Sequence, residues 1–232
     1  MKAISRQGLS AGLAVAIGFA GFARSVTAAP KEPRPAFMIH LRNYAEVPSS
    51  TLAEGERTAT EIFRRGGIEA RWREIVVRPR NSGVSGAPEE LMTLADIQVN
   101  IFPDATPNPG GTADNVAGVA PGAGPDRTLA DVFYGKVRAL FWKISSAYLK
   151  GDIDWRVSEG QLLGYVIAHE VGHLLLNQQV HSSRGIMRGE WVFADFRDMM
   201  SGMLQFTPLE VQRLRAEVLR RGAHEPIRAA EK

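Results

Sequence analysis

The 232-residue chain has no cysteine. That excludes disulfides and a lipid-modified N-terminal cysteine, so the folded part must be held by its apolar core and by any metal it binds. Long apolar runs are scarce as well. The one of note, Gly8 to Ala23, follows Lys2 and Arg6 and precedes the small residues Val26-Thr27-Ala28. This is the pattern of a secretory signal peptide cleaved after Ala28. The run falls short of the ~20 apolar residues of a spanning helix, which counts against an uncleaved anchor. The mature chain is therefore expected to be exported, periplasmic or extracellular, with no stable membrane anchor. A surplus of charge is also missing. The formal +3 comes from 28 bases and 25 acids. Residues 1–28 hold three of the bases (Lys2, Arg6, Arg24) and no acid, which leaves 25 of each. The basic balance thus belongs to the export segment, and nothing points to a nucleic-acid partner.

With 44% hydrophobic residues the remainder suits one globular core. The expected layout is a signal peptide over 1–28, a flexible lead over 29–35, a single domain over 36–222 and a polar tail over 223–232. Phe37, Ile39 and Leu41 alternate with Met38, His40 and Arg42, the period of a half-buried strand. Ser50 or Thr51 can cap a helix over about 52–65, ended by Gly66-Gly67. Ile68, Ala70 and Trp72 mark a second strand running to Val77, before a polar loop over 78–90. Ile97, Val99 and Ile101 mark a third. The Gly/Pro-rich stretch 108–125 contains a short edge strand at Val116 to Ala120. Ala130, Val132 and Tyr134 read as another strand, and Val137, Leu140, Ile144 and Ala147 as a helix over about 136–149. Ser158 with Gln161 forms a capping box for a helix over about 159–176. Thr207, Pro208 and Glu210 open a last helix that Gly222 stops. The intervening segment reads as irregular.

The chain has five histidines, and His169, His173 and His181 fall within thirteen residues. His169-Glu170-Val171-Gly172-His173 lies on the helix over 159–176. Residues four apart share a helical face, so two imidazoles can aim at one point, as zinc coordination requires. Glu170, rotated about 100° from His169, would stand beside a metal and accept a proton from water there. Leu162, Leu163, Val166, Ile167 and Leu174 to Leu176 make the helix apolar nearly all round, hence buried. Two histidines and a glutamate on a buried helix need partners, and a metal satisfies all three.

Catalytic zinc usually takes three protein ligands and keeps one open position. Asn177 can adopt the left-handed conformation that ends a helix and returns the chain, which would bring His181 to the metal. Gly185-Ile186-Met187 follows, with Gly185 able to turn tightly and Met187 to sit beneath the site. An acid from a later helix is the competing third ligand, with Glu190, Asp195 and Asp198 as candidates. His40, on the outward face of a strand pattern, and His224, in the tail, carry little weight. Trp72, Trp142, Trp155 and Trp191 read as core or cleft aromatics.

These residues resemble the metzincin clan of zinc metallopeptidases, whose pattern is HExxHxxGxxH followed by a methionine-bearing turn. The match departs from that pattern. Leu176 stands where the glycine would be and Gln179 where the third ligand would be, so His181 needs two extra residues in the turn. The resemblance implies an α+β fold with a twisted mixed sheet, an antiparallel edge strand, an active-site helix, a Met-turn at Met187 and a C-terminal helix. It also implies one Zn2+ per chain, Glu170 as general base, and a peptide or protein substrate lying along an edge strand, for which Val116 to Ala120 or Ala130 to Tyr134 is the candidate. Two other classes stay open: a zinc-binding protein without catalysis, and a zinc amidase acting on a non-protein substrate.

Overall fold

The computed structural model describes residues 34–76, 93–104, 117–122, 126–148 and 157–223. The signal-peptide segment, Val77 and the polar loop after it, Val116, Trp155 and His224 lie outside the described residues. The elements run β1 (Ala36–Asn43), α1 (Ser49–Arg65), β2 (Glu69–Ile75), β3 (Asp96–Phe102), β4 (Gly118–Val119), β5 (Leu129–Phe133), α2 (Tyr134–Tyr148), α3 (Glu159–Leu175), α4 (Phe193–Met200) and α5 (Pro208–Gly222). They make an α+β fold around one five-stranded mixed sheet of order β2-β1-β3-β5-β4. The first four strands are parallel, and β4 closes one side antiparallel to β5, in the register Gly118 to Val132 and Val119 to Asp131. Among the described residues no helix is long and apolar enough to cross a membrane.

Alternation fixes which sheet face is buried. Phe37, Ile39, Leu41, Ile97, Val99, Ile101, Ala130 and Val132 are all buried, and a single-residue slip in any strand would turn its set to the other face. The stripe of α1 that joins them is Leu52, Ala59, Ile62 and Phe63, with Phe63 edge-on to Phe37 at 5.1 Å. Helices α1 and α3 approach so closely that their backbones touch. A Cβ on Gly164 would lie 2.5 Å from the Gly55 carbonyl oxygen, and one on Gly160 would lie 2.8 Å from that of Thr51.

Four expectations need correction. Helix α1 starts earlier than the expected 52, at Ser49. The residue before it is Pro48, whose fixed φ suits the entry and whose carbonyl accepts from the Leu52 amide at 2.9 Å. Ser50 and Thr51 thus lie inside the helix, and no side chain caps it. Tyr134 opens α2 instead of ending β5. The segment read as irregular contains α4, where Phe196 and Met199 turn inward and Asp195 accepts from the Val192 amide at 2.8 Å. His40 is buried, not outward, because Asp96 on the neighbouring strand offers a carboxylate oxygen 2.8 Å from its Nε2.

Candidate metal centre

Helix α3 is capped as the sequence indicates. Ser158 accepts from the Gln161 amide at 3.0 Å, and the Gln161 side chain accepts from the Ser158 amide at 3.1 Å. Gly160 and Leu162 to Leu175 are all buried, including His169, Glu170 and His173. The helix ends where it should. Leu176 caps it, Asn177 turns left-handed at φ 49°, and the Gln178 amide donates back to the His173 carbonyl at 3.3 Å. Four residues later His181 comes round to the other two histidines. The next turn holds Gly185 at φ 75°, closed by the Arg188 amide donating to the Gly185 carbonyl at 3.1 Å. Met187 is fully buried there. A Cβ on Gly172 would lie 2.6 Å from the Met187 sulfur, so the thioether fills the space a side chain at 172 would need.

Three imidazoles converge. His173 Nε2 lies 3.0 Å from His169 Nε2 and 3.3 Å from His181 Nε2. For two of them the other ring nitrogen decides what the atom is. His169 Nδ1 donates to the Ile186 carbonyl at 2.8 Å, and His173 Nδ1 donates to the Gln178 carbonyl at 2.9 Å. A carbonyl only accepts, so each Nδ1 carries the proton and each Nε2 presents a lone pair. Burial lowers the His169 pKa to about 3, with His173 adding to the shift, and burial also lowers that of His173. Both rings are therefore neutral at pH 7, and facing lone pairs at 3.0 Å repel unless a cation lies between them. Tetrahedral zinc with nitrogens at its usual bond length sets them about 3.3 Å apart. The group fits a metal ion of that kind.

Glu170 is buried against the edge strand. A Cβ on Gly118 would fall 2.6 Å from its Cγ and 2.8 Å from Oε1, so glycine alone leaves room for the carboxylate there. Burial first, then the Asp131 carboxylate, push its pKa up to about 8. The competing acids do not join the histidines. Glu190 is exposed, Asp195 is buried as the cap of α4, and Asp198 lies 3.9 Å from Arg197.

Two contributors were not legible as such. Gly118 had a signal, a glycine inside a strand pattern, which marks close approach by another group. Trp191, read only as a core or cleft aromatic, stands edge-on to His169 at 5.7 Å. Its Nε1 donates at 3.1 Å to the same Ile186 carbonyl that His169 uses. Trp142, by contrast, is 58% exposed.

No family model matches the chain, and no curated protein matches its sequence. Among solved structures it is similar to a zinc-dependent peptidase from Methanocorpusculum labreanum, at 15% identity, covering 76% of this chain and 99% of that one with a TM-score of 0.47. It is also similar to an archaemetzincin from Methanopyrus kandleri, at 15% identity, covering 82% of this chain and 100% of that one with a TM-score of 0.45. Likeness at this level leaves function to be decided by the atoms of the site itself.

Proposed function

We propose that this chain is an exported zinc metallohydrolase, an endopeptidase, with His169, His173 and His181 as metal ligands and Glu170 as general base. The observation that carries the reading is the trio of Nε2 atoms, two of them bared by Nδ1–H bonds to backbone carbonyls. Three imidazoles suit zinc among the available divalent metals, and three protein ligands leave a position open for substrate. Zinc bound there would supply Lewis acidity, polarising a carbonyl and acidifying water.

The chain's own residues do the rest. Glu170, one residue from a ligand and pressed on β4, is placed to take a proton from attacking water and deliver it to the leaving amine. Its raised pKa, about 8, is that of a base near the working pH, and a dication in the histidine group would pull it down again. β4 is the last strand of the sheet, so an extended peptide can pair along its outer side, above Glu170. Met187, buried with its sulfur against Gly172 of the same helix, is consistent with the Met-turn reading. Export, with a signal peptide over 1–28, rests on the N-terminal sequence pattern.

Replacing Glu170 with Gln is expected to cut hydrolysis of a mixed peptide library by two to four orders of magnitude, with zinc content unchanged. Full activity in that variant would remove Glu170 from the mechanism.

A further inference from the structure

Two guanidinium groups meet the end of α3 that carries His173. Arg127, just before β5, donates from Nη1 to the Ala120 carbonyl at 2.8 Å and from Nη2 to the His173 carbonyl at 3.1 Å. A longer contact of 3.4 Å joins Nη1 to the Gly122 carbonyl. Arg221, on α5 and only 1% exposed, donates to the Arg127 carbonyl at 2.9 Å and the Leu174 carbonyl at 3.0 Å, and Glu217 neutralises it. The last carbonyls of a helix lack intrahelical partners and form the negative end of its dipole, so cations there are favourable. Arg221 does that from α5 and also holds the Arg127 carbonyl. Arg127 does it while also gripping the carbonyls that follow β4.

β4 needs such a grip. It pairs with β5 over two residues, too few for the ladder alone to fix its position. Yet it is the strand against which Glu170 rests and along which a peptide would lie. Gln179 adds a second hold, donating from Nε2 to the Gly122 carbonyl at 3.1 Å. It stands where the HExxHxxGxxH pattern has its third ligand. Here the longer turn hands that place to His181, and Gln179 reaches to the strand.

We propose that Arg127 is a positioning residue: it ties the edge strand β4 to the C-terminal end of the metal helix and so sets the spacing between the peptide-binding edge and the three-histidine group. The proposal rests on the metallopeptidase reading of that group. It makes the strand and the metal helix one unit, although 46 residues separate Arg127 from His173.

The test uses the full chain loaded with zinc, in wild type, Arg127→Ala, Arg127→Lys and Gln179→Ala. Two probes are compared: acetohydroxamic acid, which reaches only the metal, and an extended peptidyl hydroxamate, which also needs the strand. In Arg127→Ala the peptidyl hydroxamate should bind about tenfold more weakly, the scale of one charge-assisted bond to backbone, while acetohydroxamic acid and zinc itself hold within about twofold. Hydrogen exchange across 117–122 should quicken about tenfold, with 36–43 and 96–102 unchanged. Arg127→Lys should recover part of both effects, and Gln179→Ala should show a weaker version of the same split. Equal losses for both probes, or unchanged exchange at 117–122, would overturn the proposal. Were Arg127→Ala not to fold, the same split in Arg127→Lys and Gln179→Ala would uphold the proposal, and its absence from both would overturn it. A wild-type chain that takes up no zinc would sink the reading of the site before any probe is added. In that case exchange at 117–122 alone decides whether Arg127 holds the strand.

Discussion

The front half of α3, Gly160 to Ala168, meets α1 through missing side chains, whereas the polar groups of the back half, His169 to Leu175, are held by hydrogen bonds to the loops and arginines around them. In front, Gly160 and Gly164 let the helix touch the backbone of α1, with Gly55 completing the contact. Behind, His169 and His173 donate to carbonyls of two loops, and the Arg127 and Arg221 guanidiniums hold the last carbonyls. The front half is therefore a matter of close packing, insensitive to pH and metal, and the back half a matter of donors, acceptors and charge. The helix brings a rigid anchor and a polar site together on one axis.

That contrast can be broken in three ways. The largest effect is expected at Gly164. Its Cβ would sit 2.5 Å from the Gly55 carbonyl oxygen and 2.6 Å from Thr58 Cβ, and neither can swing aside. Gly164→Ala should cost about 3 kcal/mol in urea unfolding. The folded fraction should still bind zinc within a fewfold of wild type, and a large loss of affinity would mean that the two halves are not separable.

A second effect is pH-dependent and belongs to the back half. Glu170, raised from 4.5 to about 8, favours the folded state fully below pH 4.5, and that contribution is lost as pH rises toward 8. His169, lowered from 6.5 to about 3, works the other way: its contribution is complete above pH 6.5 and is lost as pH falls toward 3. The two oppose each other between pH 4.5 and 6.5, and only Glu170 acts from there to pH 8. In metal-free protein Glu170→Gln should thus gain on wild type steadily from pH 4.5 to 8, while the Gly164→Ala deficit stays flat. A flat Glu170→Gln difference would contradict the burial argument.

The smallest of the three concerns Trp191. Trp191→Phe keeps an aromatic ring against His169 but removes one of the two donors on the Ile186 carbonyl. Partners behind metal-binding histidines tune affinity by about tenfold or more. Zinc affinity, measured by competition with a chromophoric chelator, should therefore weaken about tenfold with little change in unfolding. Unchanged affinity would show that the His169 bond alone sets the ring.

The sequence carried the packed regions well because packing repeats. Alternation in Phe37, Ile39 and Leu41 and in Ile97, Val99 and Ile101 located β1 and β3, and the capping boxes at Ser158 and Thr207 located the starts of α3 and α5. The HExxH spacing announced the back half of α3, and Asn177 and Gly185 marked the turns, since both positions require φ above zero. What stayed hidden depends on contacts between distant residues. His40 looked outward until Asp96 on another strand covered it. Helix α4 has Val192 rather than a polar residue at its cap, which removed the usual starting signal. Arg127 gave no local sign, because its partners lie just beyond β4 and on α3. The carbonyls of Gln178 and Ile186 that orient the histidines belong to the backbone, so no residue type announces them.

The central claim is that His169, His173 and His181 hold one metal ion. Metal content by mass spectrometry, on mature protein purified without chelators or a histidine tag, tests it most directly. One zinc per chain is expected in wild type and in Glu190→Ala, with a sharp reduction in His181→Ala. No bound metal in wild type after zinc is offered and the excess removed, or full zinc retention in His181→Ala, would contradict the three-histidine site.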